Sequence, residues 1–469
     1  MSRARQGGWV LASRVVPQAG GALLLILGAR FLTPAALGQF VLIFAGVEFL
    51  RRLVRAGWRE AVIVGEADTP PVVMTLSIAS ALAAQVATFG AAALMWQAGL
   101  EPRYPLCLLM LGATLVPLAP TVVWEGVLLR RRQPDREAKP LIVAEIAHLL
   151  LAFLLLALGL GILGLALARI ARALVLCLGL GVAAGWPVAV GWDRARAAAA
   201  FPVSGNVTAS AMINFATTYG VDLIVGFYLG PASVAFFRVG SRIAGALSEA
   251  MNETVRVLAW SSLPAAGDAE RARLADRVER FFDQAVVLVA PVFVGLALVA
   301  GPLVALLLGP DWRASAQVVT LMAIARLFQS PATVAWPALA IIGRTGLLPR
   351  LTAVIAGSAL VAILVTGPHG ILAIAWSQVA AALFGGLATI AVLNRAIFAP
   401  GRLRARVDTL AGLALMALCV IGARALIGEA APAVALVTEI IAGAAGYGLF
   451  LWWRRRDMVL RVTAEARRA

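Results

Sequence analysis

Arginine falls in every second connection between long apolar stretches, and this alternation constrains the chain more than any local motif. The apolar stretches follow one another from Trp9 to Trp453. Arginine is dense in the connections from Arg130 to Arg136, at Arg194 and Arg196, from Arg271 to Arg280, from Arg402 to Arg406, and from Arg454 to Arg456. The intervening connections hold almost none, Arg103 and Arg313 excepted. Basic loops stay on the cytoplasmic side of a membrane, so the pattern predicts both the crossings and their direction. It makes the chain a multi-pass membrane protein with both ends inside.

The totals agree. Charged residues are 14% of the chain and hydrophobic ones 61%, whereas a soluble domain carries about 25% charged residues. A crossing needs roughly 20 apolar residues, so 469 residues give room for about fourteen. The predicted spans are 8–30, 36–60, 71–98, 104–129, 140–162, 163–190, 205–230, 232–262, 285–309, 314–342, 347–367, 369–394, 405–427 and 432–453. The net charge of +16 is spread over short inside loops that face anionic headgroups. No basic domain stands apart to bind nucleic acid, and that class is excluded. The longest inside loop, about 265–283, alternates Leu274 and Val278 with arginines. It is predicted to lie on the inner surface as an amphipathic helix.

The chain repeats itself. Phe31-Leu32-Thr33-Pro34-Ala35 and Tyr228-Leu229-Gly230-Pro231-Ala232 lie 197 residues apart, and at that offset Phe40 matches Phe237 and Arg59 matches Arg256. Each copy joins two helices at an outside turn. Two halves of equivalent topology, with a site between them near the midplane, are the usual build of a secondary transporter. The expected division is 1–200 for a first bundle of six helices, 201–398 for a second, and 399–469 for two further helices with a basic tail.

A charge at bilayer depth costs about 2.5–3.5 kcal/mol on insertion scales, so it usually faces a cavity or a partner. In the eighth span, Arg238, Arg242, Gly245, Glu249, Asn252 and Arg256 follow steps of three and four along one face. Counting from Ser233, Arg242 lies about 14 Å in. One reading is a wet, cation-lined cavity for an anionic headgroup; the other is an internal Arg242–Glu249 ion pair that fixes packing. In the seventh span, Ser210, Asn214, Thr218 and Asp222 form a stripe, whose hard oxygens suit a proton or sodium relay. Asp222 can equally pair with Arg238. The second span carries Glu48, Arg52, Arg55 and Arg59 on one face, near the inner interface. Snorkelling accounts best for Arg55 and Arg59. Arg14, shallow in the first span, can line a cavity mouth, while Arg326 and Arg424 stand isolated.

Cys107, Cys177 and Cys419 lie far apart in apolar runs, fitting neither a disulfide framework nor a metal site. Glu145 and His148 form a lone pair at helical spacing, and no residues have metal-ligand spacing. No phosphate loop, nucleophile elbow or cofactor motif is present.

Arg30-Phe31-Leu32-Thr33-Pro34 with Gly38 resembles the opening signature of bacterial polysaccharide transporters, the lipid-linked oligosaccharide flippases of the multidrug/oligosaccharidyl-lipid/polysaccharide exporter superfamily. Asp222-Leu223 with Gly226, then Leu229-Gly230-Pro231 and Arg242-Ile243, resembles the matching stretch of their second half. Leu308-Gly309-Pro310-Asp311-Trp312 and Gly343-Arg344 are similar to later turns, while Ala235-Phe236 stands where Gly-Tyr is usual. The resemblance implies an all-α polytopic protein of about fourteen helices, in two pseudo-symmetric bundles around a central cavity. It implies translocation of an undecaprenyl-pyrophosphate-linked oligosaccharide across the bacterial cytoplasmic membrane by alternating access, for lipopolysaccharide or exopolysaccharide synthesis. Arg242, Arg238, Arg14, Arg52 and Arg256 would hold the pyrophosphate. Asp222, Asn214, Thr218 and Glu249 would couple transport to H⁺ or Na⁺. Membrane lipids and a glycan polymerase or assembly machinery are the implied partners, with no cofactor and no metal.

Two rival classes remain. A multidrug antiporter of the same superfamily needs an acidic cavity for cationic drugs, and the count here is basic. A membrane enzyme, such as a glycan polymerase or ligase, needs a sizeable outside loop, and the outside turns are short.

Overall fold

The computed structural model describes residues 3–186, 189–262, 271–341, 344, 346–396, 407–428 and 430–454. Among these, regular structure is helical throughout. Eleven helices are long and apolar enough to cross a membrane. One of them, within α9 (Arg194–Ser262), is folded at Gly230, whose φ of 78° and ψ of 175° are not helical. Counting that helix twice and adding α1 (Arg3–Phe31) and α2 (Pro34–Arg55) gives the fourteen crossings expected. Most boundaries agree with the expected spans to within a few residues.

The chain forms two compact units, Met1–Ala235 and Phe236–Ala469. The first unit takes in the first arm of α9 (194–229). That arm packs against α2. Gly38 lies so close to Pro231 that a Cβ would overlap its carbonyl oxygen, and one at Gly226 would meet Leu42 at 2.7 Å. Further along, Phe49 meets Phe215 with ring centroids 5.4 Å apart, and Ala45, Phe215 and Tyr219 form a buried cluster. At the far end the Ser204 hydroxyl donates to the Ala56 carbonyl.

Two expected spans are interrupted. The second ends at Arg55, because Ala56 (φ 34°) and Gly57 (φ 67°) both turn left-handed before the short α3 (Trp58–Val64). A Cβ at Gly57 would lie 2.8 Å from that of Val207, so glycine meets both the turn and the close approach. Arg59 therefore leaves the face it was expected to share with Glu48 and Arg52. The fourth span breaks between α5 (Arg103–Gly112) and α6 (Leu115–Arg130). Pro117 has no N–H for the Ala113 carbonyl and its ring crowds that oxygen, which accounts for the break.

The first unit also contains α4 (Thr69–Gln97), α7 (Pro134–Ala157) and α8 (Gly161–Ala184). The inside-loop arginines brace its connections: Arg130 donates to the Glu66 carbonyl at 2.6 Å and Arg131 to that of Ala184 at 2.8 Å. The second bond satisfies an orphan acceptor at the end of α8.

The second unit comprises the rest of α9, α10 (Arg271–Leu307), α11 (Arg313–Ile341), α12 (Leu347–Thr366), α13 (Ile371–Ala396), α14 (Val407–Ile427) and α15 (Pro432–Arg454). Here one expectation is corrected. The amphipathic stretch from Arg271 is no separate surface helix; it is the beginning of the continuous 37-residue α10. Val278 and Phe281 pack on protein, joining Val255, Leu339 and Leu393 in one buried cluster. Residues 263–270 lie outside the described ones. Trp312, 2% exposed, meets Phe236 edge-on at 5.7 Å, so the aromatic in place of the usual tyrosine still seats this turn.

Candidate substrate site and the charges at bilayer depth

In the second unit, the eighth-span face meets α11. Arg242 Nη1 lies 3.2 Å from Glu249 Oε1, two helical turns away, with side chains 26% and 39% exposed. Arg326 of α11 reaches the same face: its Nη2 would be 3.9 Å from a Cβ at Gly245, and its Nη1 donates to Gln329 Oε1 at 3.0 Å. One turn further, Asn252 Oδ1 accepts from Thr333 Oγ1 at 2.9 Å. Two helices thus align polar positions at steps of three and four, Arg242, Gly245, Glu249 and Asn252 against Arg326, Gln329 and Thr333. The Arg242–Glu249 pair of the second reading is present, and neither side chain is buried. Arg326, isolated in sequence, brings a second guanidinium to a face with one carboxylate among the described residues. Arg238 is half-buried, and its carbonyl accepts from the Ser241 hydroxyl at 3.1 Å. Arg14 and Arg256 have side chains outside the described ones.

Arg424 also finds a structural role. Its Nε and Nη2 bind the two oxygens of Glu439 at 2.8 and 2.9 Å, joining α14 to α15, and Nη2 donates to the Leu298 carbonyl at 2.7 Å. Such a two-pronged pair is a strong, directional fastening.

In the first unit, Glu48 lies between two guanidiniums, 3.6 Å from Arg51 Nη1 and 3.8 Å from Arg52 Nε. Arg52 turns toward the first arm of α9, donating to the Ala211 carbonyl at 3.2 Å. Its guanidinium lies 5.8 Å from the Phe215 ring centre and 6.0 Å from that of Tyr219, an attraction worth about 0.5–2 kcal/mol according to desolvation. Arg55, expected to snorkel, instead binds buried Glu125 at 2.7 Å, and Arg59 binds its neighbour Glu60 at 2.9 Å. In the polar stripe, Asn214 and Thr218 are exposed and bonded to each other at 3.2 Å. Asp222, one turn on, is 2% exposed.

The sequence reading overlooked Arg169 and Arg172, which lie in the middle of α8. Arg172 Nε donates to Glu145 Oε2 at 2.7 Å, so the Glu145–His148 pair is part of a larger buried cluster. A Cβ at Gly20 of α1 would lie 2.5 Å from Glu145 Oε1, which holds the carboxylate against α8. Arg169 lies over the Phe44 ring at 4.6 Å, and its Nε is buried with no hydrogen-bond partner among the described residues. Beside this cluster is a cavity of about 100 Å³ bordered by Arg51, Arg55, Arg169, Arg172, Glu48 and Glu125. The signal that could have found it was in view: two arginines three residues apart inside an apolar span, each costing about 2.5–3.5 kcal/mol there if unsupported.

Eleven helices among the described residues long and apolar enough to cross a membrane define the class: an all-α polytopic membrane protein. Similar solved structures share that fold. The first is titled lipid II flippase MurJ, inward closed conformation, with TM-score 0.73, 12% identity, and coverage of 96% of this chain and 99% of that one. An inward-facing multidrug resistance MATE family transporter of the MOP superfamily gives TM-score 0.59 at 16% identity, covering 82% of this chain and 98% of that one. An outward-facing transporter of the same description gives 0.51 at 13%, covering 83% and 94%. No curated protein matches the sequence. The model of the polysaccharide biosynthesis protein family matches residues 26–317, and the chain belongs to that family.

Proposed function

We propose that the protein is a flippase for a polyprenyl-pyrophosphate-linked oligosaccharide, moving it from the inner to the outer leaflet of the bacterial cytoplasmic membrane by alternating access, for surface polysaccharide synthesis. Family membership and fold support this reading, and one observation carries the cargo assignment: Arg242 and Arg326 converge on a face where Glu249 is the one carboxylate among the described residues. A pyrophosphate needs fixed positive charge, and guanidinium offers planar donors matched to its oxygens. Arg238 lies one turn from Arg242, and Arg52, Arg14 and Arg256 are the further arginines assigned to the headgroup. Buried Asp222, with Asn214, Thr218 and Glu249, is the proposed route for a coupling H⁺ or Na⁺. The polyprenyl tail stays in lipid. Assembly enzymes such as a glycan polymerase act as partners, and the protein itself makes and breaks no covalent bond. Glycan export in a deletion strain is the test. Arg242→Ala should abolish surface glycan at normal protein levels; undiminished export would remove the headgroup assignment. Resistance to cationic drugs, gained on expression, would instead favour a multidrug antiporter.

A further inference from the structure

The geometry points to a second anion site, lined by α2, α5, α6, α7 and α8 of the first unit, that binds a phosphate-type oxyanion with Arg169 as its anchor. It stands apart from the headgroup assignment, needs no glycolipid, and uses residues that assignment leaves out.

Charge comes first. The groups bordering the cavity include four guanidiniums, Arg51, Arg55, Arg169 and Arg172, against two carboxylates, Glu48 and Glu125. Adding Glu145, which pairs with Arg172, still leaves one positive charge in excess. Arg55 is matched by Glu125 and Arg51 by Glu48. Arg169 is the remainder: among the described residues no carboxylate lies within ion-pair distance of it, and its Nε has no acceptor. The Phe44 ring covers one side of its guanidinium but offers no lone pair to its N–H groups.

Depth makes that remainder consequential. Arg169 is eight residues into α8, so it lies about 12 Å below the outer end of the helix, and Arg172 about 16 Å. On α2, Arg51 and Arg55 are about 26 and 32 Å from the same side. The cations thus form a ladder from the inner interface to mid-membrane, along a cavity of about 100 Å³, room for several waters and so for one oxyanion. Thr114 and Thr121 also border it; each hydroxyl donates to the carbonyl three residues back, Leu111 and Leu118, at 2.6 Å, and would rotate to donate to the anion. The break before Pro117 opens this wall and lets Thr114 reach the cavity border.

Binding of ³²P-labelled inorganic phosphate to the purified full chain in phosphatidylcholine nanodiscs tests the site. Saturable binding is expected, weakened at least tenfold in Arg169→Gln and in Thr114→Leu, which fills the cavity without removing a charge, and kept in Arg242→Gln. Variants are compared at matched unliganded Tm, so Thr114→Leu decides if Arg169→Gln does not fold. Nanodiscs with phosphatidic acid separate the sources: displacement of label assigns the occupant to a lipid headgroup, retention to a free anion, and either keeps the site. No saturable binding, or binding lost in Arg242→Gln and kept in both first-unit variants, overturns it.

Discussion

Removing the Glu145 carboxylate should destabilise the first unit, and removing its partner as well should restore it. Glu145 Oε2 is 2.7 Å from Arg172 Nε, with side chains 5% and 15% exposed. Truncating one member of a buried pair costs about 3–5 kcal/mol, because the survivor is left charged and unmatched. Water in the adjoining cavity relieves part of that, which favours the lower end, about 3 kcal/mol. At about 2–4 °C per kcal/mol for a unit of this size, Glu145→Gln should lower Tm by roughly 6–12 °C in nanodiscs, read by intrinsic fluorescence. Arg172→Gln on that background should recover most of the loss, since two neutral amides no longer carry an unpaired charge. If the double variant unfolds as early as Glu145→Gln, or earlier, the pair is not the unit described and the reasoning fails.

Other outcomes follow from the same structure. Gly38→Ala should lower Tm by several degrees through overlap with the Pro231 carbonyl, whereas Gly46→Ala, with nothing within 4 Å of its Cβ, should not; equal effects would contradict the close approach. Glu249→Gln removes the carboxylate at Arg242 and should tighten binding of soluble pyrophosphate in calorimetry while slowing export; unchanged affinity would detach that face from the diphosphate. At the start of α9, the Arg196 backbone N–H bonded to Asp193 at 3.0 Å holds that carboxyl below its usual value. A depressed folded value means the contribution is complete above the ordinary carboxylate value of about 3.9 and is lost as pH falls below it. Protection factors of the first α9 amides, referred to their intrinsic exchange rates, should therefore fall in acid in the native chain and lose that dependence in Asp193→Asn.

The crossings were legible because hydropathy and arginine placement report the solvent on each segment directly. The repeat at Pro34 and Pro231 was legible too, but not that Gly38 and Pro231 touch. Breaks at Gly57 and before Pro117 carried local signals, hidden by apolar residues on both sides. The pattern at Val278 misled because an apolar helix face reads alike whether lipid or protein covers it. Partners across helices were the least legible. Glu145 looked alone beside His148, and Arg326 alone in its span, because the contacts that complete them join residues 27 or more positions apart in sequence.

The central claim is translocation of a diphosphate-linked glycan through arginine-lined protein. The most direct measurement is flipping of a fluorescent undecaprenyl-diphosphate oligosaccharide in proteoliposomes containing only the purified chain. Wild type should move the label between leaflets far faster than empty vesicles, and Arg242→Ala should return the rate to that background. A wild-type rate no greater than that of empty vesicles, or an Arg242→Ala rate equal to wild type, would contradict the account.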